Sequence, residues 1–243
     1  MKPFLFLSSR SEDVVAHNEA AAFARLSGLE PGELRWHRID QEPLPALNLD
    51  EFSGVLLGGS PFNSSDPEQQ KSAVQLRVEK ELMQLLDEVV DRDFPFLGAC
   101  YGVGTLGKHQ GGVIDRQFGE PISAVQISLS DDGVNDPLLA GLATRFEAFV
   151  GHKEACSTLP PGALLLASSP SCPVQMFRLR ENLYATQFHP ELELEGLMLR
   201  IEAYQHHGYF PADQVEAVRT AARESKVSEP GKILRNFVLR YAR

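Results

Sequence analysis

Three short segments concentrate reactive side chains and unhindered glycine backbone. In Phe94-Pro-Phe-Leu-Gly-Ala-Cys-Tyr-Gly an apolar run enters Gly98-Ala99-Cys100-Tyr101-Gly102. A strand turning sharply into a helix through small residues lifts a nucleophile clear of its sheet, at some cost in backbone strain. Cys100 stands at the apex of that pattern, with Gly98 and Gly102 relieving the crowding around it. A helix beginning just behind the sulfur would favour thiolate through its dipole. Taken alone, the segment fits a small buried hydrophobe at a strand end equally well.

The second segment, Tyr184-Ala-Thr-Gln-Phe-His-Pro-Glu, sets His189 two residues before Glu191. In extended chain such side chains point the same way. The carboxylate can then orient the imidazole while its other nitrogen reaches a thiol. Pro190 stiffens the link. The third segment, Val55-Leu-Leu-Gly-Gly-Ser-Pro, closes an apolar run with Gly58, Gly59 and Ser60. Bare backbone there can approach a ligand, and the N–H groups of Gly59 and Tyr101 are candidates for an oxyanion hole. Each segment has a plainer reading: a His-x-Glu pair is commonly a surface pair, and a glycine pair a tight turn. Their joint occurrence points to acyl transfer, with Cys100, His189 and Glu191 as a catalytic triad.

The elements that must position these residues follow from periodicity. Apolar runs predict strands at 4–7, 34–39, 54–57 and 94–97. Val15, Ala22, Phe23 and Leu26 share one helical face over 12–26. A long helix is predicted over 67–90, capped by Asp66, with Pro67 in its first turn and Val74, Val78, Leu82, Leu85, Leu86 and Val89 as its core stripe. Strands alternating with helices predict a parallel sheet with helices on both faces. Beyond Cys100 the chain changes character. Short strands at 113–114, 122–129, 146–150, 163–167, 174–179 and 183–187 leave little room for helices, so the sheet should be mixed. Helical spacing resumes at 194 and over 212–223 and 232–241. The expected organisation is one α/β domain, residues 1–206, with 207–243 as its helical C-terminal extension.

The 243 residues carry a formal net charge of -10, which disfavours nucleic-acid phosphates and anionic membranes as partners. Cys100, Cys156 and Cys172 are an odd number at irregular spacing and fit neither a disulfide framework nor a paired-cysteine metal site. The N-terminal apolar run is short and meets Arg10 and Glu12 at once, unlike a signal peptide. These features predict a cytoplasmic protein without metal or cofactor.

Taken together, the segments resemble the class I, triad-type glutamine amidotransferases, in which a Gly-Gly turn, a Gly-x-Cys-x-Gly elbow and a distal His-Pro-Glu follow in that order. Asp136-Pro-Leu-Leu-Ala-Gly-Leu and Gly151-His152-Lys-Glu are similar to segments of the glutaminase domain of GMP synthetase. The resemblance implies a flavodoxin-like α/β fold with a mixed, mostly parallel central sheet. It implies attack by Cys100 on the side-chain amide of glutamine or a γ-glutamyl compound, with His189 as base and then acid, a γ-glutamyl thioester, and release of ammonia. Gly58, Ser60, Gly104 and His152 are the substrate-binding candidates. A separate synthase is the implied ammonia acceptor, because this sequence contains no ATP-pyrophosphatase loop. A stand-alone γ-glutamyl amide hydrolase and a non-catalytic member that binds a metabolite or protein are the alternatives. One departure stands out: four residues after the cysteine, where the family usually has glutamine, this chain has Gly104. The missing side chain is expected to leave a space that weakens free glutamine or favours a bulkier γ-glutamyl substrate, unless a side chain from 62–65 or Thr105 closes it.

Overall fold

The computed structural model describes residues 1–205 and 212–243. Strands β1 (Phe4–Ser8), β2 (Leu34–Arg38), β3 (Gly54–Leu57) and β4 (Phe96–Ala99) form the first half of a nine-stranded sheet. Strands β5 (Val113–Asp115) and β8 (Ala155–Thr158) pair separately as an antiparallel ribbon. The large sheet is completed by β6 (Glu120–Leu129), β7 (Arg145–His152), β9 (Leu164–Ser168), β10 (Met176–Leu179) and β11 (Leu183–Thr186), in the order β2-β1-β3-β4-β11-β10-β9-β6-β7. The pairs from β2 to β11 are parallel, and those from β11 to β7 are antiparallel. The sheet is mixed, as the strand spacing predicts, and its parallel strands form one contiguous half.

The inner parallel strands β1, β3, β4 and β11 are buried along their whole length because both faces are covered, whereas the edge strand β2 carries Arg35, His37 and Arg38. Leu5, Leu7, Val55 and Leu57 point to one side, where helix α2 (Ala73–Asp91) supplies Val78, Leu82, Leu86 and Val89. Phe4, Phe6, Leu56 and Leu97 point to the other, against Phe23 of α1 (Asp13–Ser27) and Ile233, Leu234 and Phe237 of the C-terminal helix. Helix α1 stops at Gly28, whose φ of 73° is left-handed and whose N–H closes the last turn onto Ala24 and Arg25.

Helix α2 begins later than the sequence suggests. Pro67 leads only a short turn over Glu68–Gln70, and Ser72 caps the helix by accepting the N–H of Gln75 at 3.1 Å. Asp66 is engaged instead by Asn63 at 3.1 Å and Arg116 at 2.5 Å. Val74, expected in the core stripe, is 41% exposed as a result.

Helices α3 (Tyr101–His109), α4 (Asp131–Asn135), α5 (Leu194–Tyr204), α6 (Val215–Glu224) and α7 (Gly231–Tyr241) complete the α-helices among the described residues. The expected boundary at 206/207 lies outside the described residues. Ile233, Leu234, Phe237 and Val238 of α7 nevertheless share a core with Phe4 and Phe6. No helix among the described residues is long and apolar enough to cross a membrane.

The register fixes where chemistry can gather. Leu57 of β3 lies opposite Gly98 of β4, and Ala99 of β4 opposite Thr186 of β11. The next residues out are therefore Gly58-Gly59, Cys100 and Gln187, all at the carboxyl ends of adjacent parallel strands, where ligands bind in open α/β sheets.

Candidate active site

At Cys100 the chain turns from β4 into α3 with φ 53° and ψ -84°, a conformation that a non-glycine residue adopts only under constraint. Its N–H is pinned to Thr186 O at 2.6 Å. The turn is tight enough that a Cβ at Gly98 would lie 2.6 Å from the Cα of Gly102. At Gly102 itself a Cβ would point into open space, so the glycine requirement falls on residue 98. Of the three thiols, Cys100 is half-buried, whereas Cys156 and Cys172 are fully enclosed. Burial pushes the Cys100 thiol up to about 12, partly opposed by the positive charge of Arg10, so the resting sulfur is protonated.

After β11 the chain carries Gln187, His189 and Glu191, all buried. His189 Nδ1 lies 2.8 Å from Glu191 Oε1, with both side chains enclosed. Burial pulls the imidazole down to about 4, against the pull of Glu191, so His189 is neutral near pH 7. Burial works the other way on Glu191, but His189 and Arg200 outweigh it and hold that carboxyl far below its usual range. The hydrogen-bond neighbour of Cys100 Sγ is Gln187 Nε2, at 4.0 Å. No hydrogen bond joins Cys100 to His189 among the described residues.

The glycine pair has a role the sequence did not reveal. A Cβ at Gly58 would lie 2.5 Å from Glu19 Oε2, and one at Gly59 would run into Arg10 Nη2 and stand 2.8 Å from His189 Cε1. These glycines let the backbone approach buried side chains beside the site. Arg10, Glu19 and Arg200 are themselves almost fully buried and joined by ion pairs of 3.0 and 3.2 Å.

A small cavity above Cys100 is lined by Ser60, Phe62, Tyr101, His152, Glu154 and Gln187, among others. Gly104 does not open it further. A Cβ there would meet Ser64 Oγ at 2.6 Å and Glu154 Oε1 at 2.8 Å, so the expected gap is already filled. Glu154 is held in place by the N–H and hydroxyl of Ser64 (2.8 and 2.9 Å) and the N–H of Ser65 (2.7 Å). His152 backs this arrangement: Nδ1 meets the Glu154 carbonyl at 2.9 Å and Nε2 meets Glu120 Oε2 at 2.8 Å. Glu120, His152 and Cys172 bring an oxygen, a nitrogen and a sulfur within 4.8 Å of one another. Those atoms are already engaged, since Glu120 also accepts from Gln175 and Ser171, and the Cys172 thiol faces Val174 O. A metal would have to replace these bonds.

Sequence reasoning did not single out Arg10, Glu19, Glu154, Gln187 or Arg200. Gln187 had a local signal, because the alternation that pairs His189 with Glu191 extends back to it, and Glu154 closes the Gly151-His152-Lys-Glu segment. The others reach the site from separate elements.

The class-I glutamine amidotransferase family model matches residues 15–203, and the chain belongs to that family. Among curated relatives, one subunit of the glutamine-hydrolysing GMP synthase of Methanobrevibacter smithii is 36% identical over 166 residues, 65% of this chain and 77% of that protein. The glutamine-hydrolysing GMP synthase of Thermosipho africanus is 30% identical over 119 residues, 47% of this chain but only 22% of the relative. The match thus spans about a fifth of that longer enzyme. Among solved structures, a glutamine amidotransferase from Thermotoga maritima superposes with a TM-score of 0.76 at 23% identity, covering 99% of this chain and 98% of that one. Another, from Methylobacillus flagellatus, gives 0.70 at 17% identity, covering 99% and 94%. These likenesses establish the fold.

Proposed function

We propose that the chain hydrolyses the side-chain amide of glutamine, or of a γ-glutamyl compound, through Cys100, His189 and Glu191. The observation that carries this reading is the juxtaposition of a strained cysteine turn with a buried imidazole–carboxylate pair, at the ends of neighbouring strands β4 and β11.

A neutral thiol beside a neutral imidazole calls for general-base activation rather than a standing ion pair. The substrate draws the two groups together. His189 takes the thiol proton as sulfur attacks the amide carbon, and Glu191 stabilises the imidazolium. The N–H groups of Gly59 and Tyr101 receive the oxyanion. His189 then protonates the departing nitrogen, ammonia leaves, and a γ-glutamyl thioester remains. Water, deprotonated by His189, attacks the thioester, and the sulfur leaves with a proton returned.

Among the substrate-binding candidates, Ser60 and His152 line the cavity with Cys100, while Gly58 stands against Glu19 and Gly104 behind Ser64 and Glu154. Glu154 therefore replaces Gly104 as the residue that shapes this wall. Two curated relatives are named as single subunits of a GMP synthase. By that likeness the ammonia acceptor is a separate synthase chain. Incubating the purified protein with glutamine and measuring glutamate and ammonia tests the activity. Equimolar products that disappear in Cys100→Ala support it, and no products with glutamine or any γ-glutamyl amide, with or without a synthase, contradict it.

A further inference from the structure

The four charges beside the site are arranged with unusual economy. Arg200, on α5, is 4% exposed. Its Nη2 lies 2.9 Å from Glu191 Oε1 and 3.2 Å from Glu19 Oε1, and its Nη1 lies 3.1 Å from His189 Nδ1. Glu19, on α1, is completely buried and also accepts from Arg10 Nε at 3.0 Å. Two guanidiniums and two carboxyl groups thus form one enclosed frame, in which burial raises the Glu19 carboxyl while the charges of Arg10 and Arg200 pull it back down.

Stability alone is a poor reason for such a frame, since buried ion pairs often contribute less than well-packed apolar side chains of similar volume. Its position gives it another use. We propose that Arg200 is a positioning residue for the reaction, anchored by Glu19, which fixes Glu191 as the acceptor for His189 and sets the charge felt by the imidazole. The proposal rests on the reading of Cys100 and His189 given above. One oxygen, Glu191 Oε1, faces both His189 Nδ1 and Arg200 Nη2, so the fork of the guanidinium determines where that oxygen stands. A guanidinium 3.1 Å from Nδ1 also opposes a full positive charge on the ring. That keeps His189 a neutral base at rest and makes it a stronger acid once protonated, as ammonia departure requires.

The charged and titratable groups that bear on His189 come from several elements. Glu191 is in its own segment, Arg200 and Tyr204 are on α5, Arg10 follows β1, Cys100 follows β4, and Glu19 acts through the arginines. Replacing an arginine and replacing a carboxyl group of this frame act on the imidazole in opposite directions. Without Arg200 the imidazolium is easier to form, and without Glu19 it is harder.

The test compares wild type with Arg200→Met, Arg200→Lys, Glu19→Gln and the double variant Glu19→Gln/Arg200→Met. Two quantities are read: the pH dependence of glutamine hydrolysis, and the titration of His189 followed by NMR on histidine-labelled protein. The second does not depend on turnover, so it separates this inference from the activity itself. We expect Arg200→Met to lower kcat about tenfold or more with a smaller change in KM, and to raise the His189 titration midpoint and the acid limb together. Arg200→Lys should recover part of the loss, since it keeps the charge but not the fork. Glu19→Gln should shift the midpoint in the opposite direction, and the double variant should return it towards wild type. If Arg200→Met does not fold, the shift in Glu19→Gln decides. Folded variants that titrate like wild type, or a faster Arg200→Met, would overturn the inference. A wild type that titrates as described but releases no ammonia would overturn the proposed activity instead.

Discussion

Glu154 Oε1 lies 2.8 Å from where a Cβ would stand at Gly104, so a carboxylate from the β7–β8 connection occupies the space that a side chain on α3 would otherwise claim. The absent side chain and the buried acid are two halves of one feature. Gly104 makes room for Glu154, and Ser64 and Ser65 hold its oxygens.

Gly104→Gln should therefore harm the protein rather than restore a lost contact. Overpacking a filled site typically costs about 1–3 kcal/mol. Thermal unfolding should show a fall in Tm of several degrees, accompanied by a higher KM for glutamine. Tighter glutamine binding at unchanged Tm would mean that the space is open.

Gly98 and Gly102 should respond differently to the same change. Gly98→Ala drives a methyl into backbone at 2.6 Å, and backbone cannot step aside as a flexible side chain can. Loss of soluble protein or of Cys100 reactivity is expected there. Gly102→Ala points into open space and should remain folded. Equal tolerance at both positions, measured by Tm and thiol titration, would contradict the described elbow.

Much of this was legible in the sequence because it is local. Apolar runs and helical spacing located β1, β3, β4, α1 and α7 to within a few residues, and the alternation of strands with helices predicted helices on both faces of the sheet. The start of α2 was misplaced because Asp66 and Pro67 make a plausible cap, yet Asp66 is drawn away by Arg116, 50 residues distant. The triad candidates were readable from a turn pattern and a period of two. Arg10, Glu19 and Arg200 were not. On a helix, Glu19 and Arg200 read as ordinary polar positions, and only tertiary packing buries them together, 181 residues apart in sequence.

His189→Ala should abolish turnover, whereas Glu191→Gln should leave a residue of it. The carboxylate orients and stabilises a charge that the imidazole itself carries, so its loss is the smaller of the two. Steady-state kinetics with folded variants checks the order. An unimpaired Glu191→Gln would reduce the triad to a Cys–His dyad.

The pH dependence follows from the direction of the His189 shift. Its usual value is 6.5 and its folded value about 4, so between those limits the unfolded chain binds more protons than the folded one. The stability associated with neutral His189 is fully present above about pH 6.5 and is lost as pH falls towards 4. Chemical denaturation between those two pH values should show His189→Gln with a flatter acid decline than wild type. The acid limb of kcat/KM in wild type should likewise fall well below the usual histidine value of 6.5. A midpoint at that usual value would mean that the imidazole is solvated.

The proposed chemistry requires Cys100, and neither other cysteine, as the nucleophile. Cys156 and Cys172 are fully buried, and burial raises both thiols, to about 11 and about 12. Cys100 is raised as far, so its reactivity must come from its place at the elbow and from His189, not from standing thiolate. The most direct measurement is intact-mass analysis and peptide mapping after exposure to a glutamine-like diazoketone or chloroketone. One adduct per chain is expected, on Cys100, slowed by excess glutamine, lost in Cys100→Ala and strongly slowed in His189→Ala. Labelling that persists unchanged in Cys100→Ala, or that falls on Cys156 or Cys172, would contradict it.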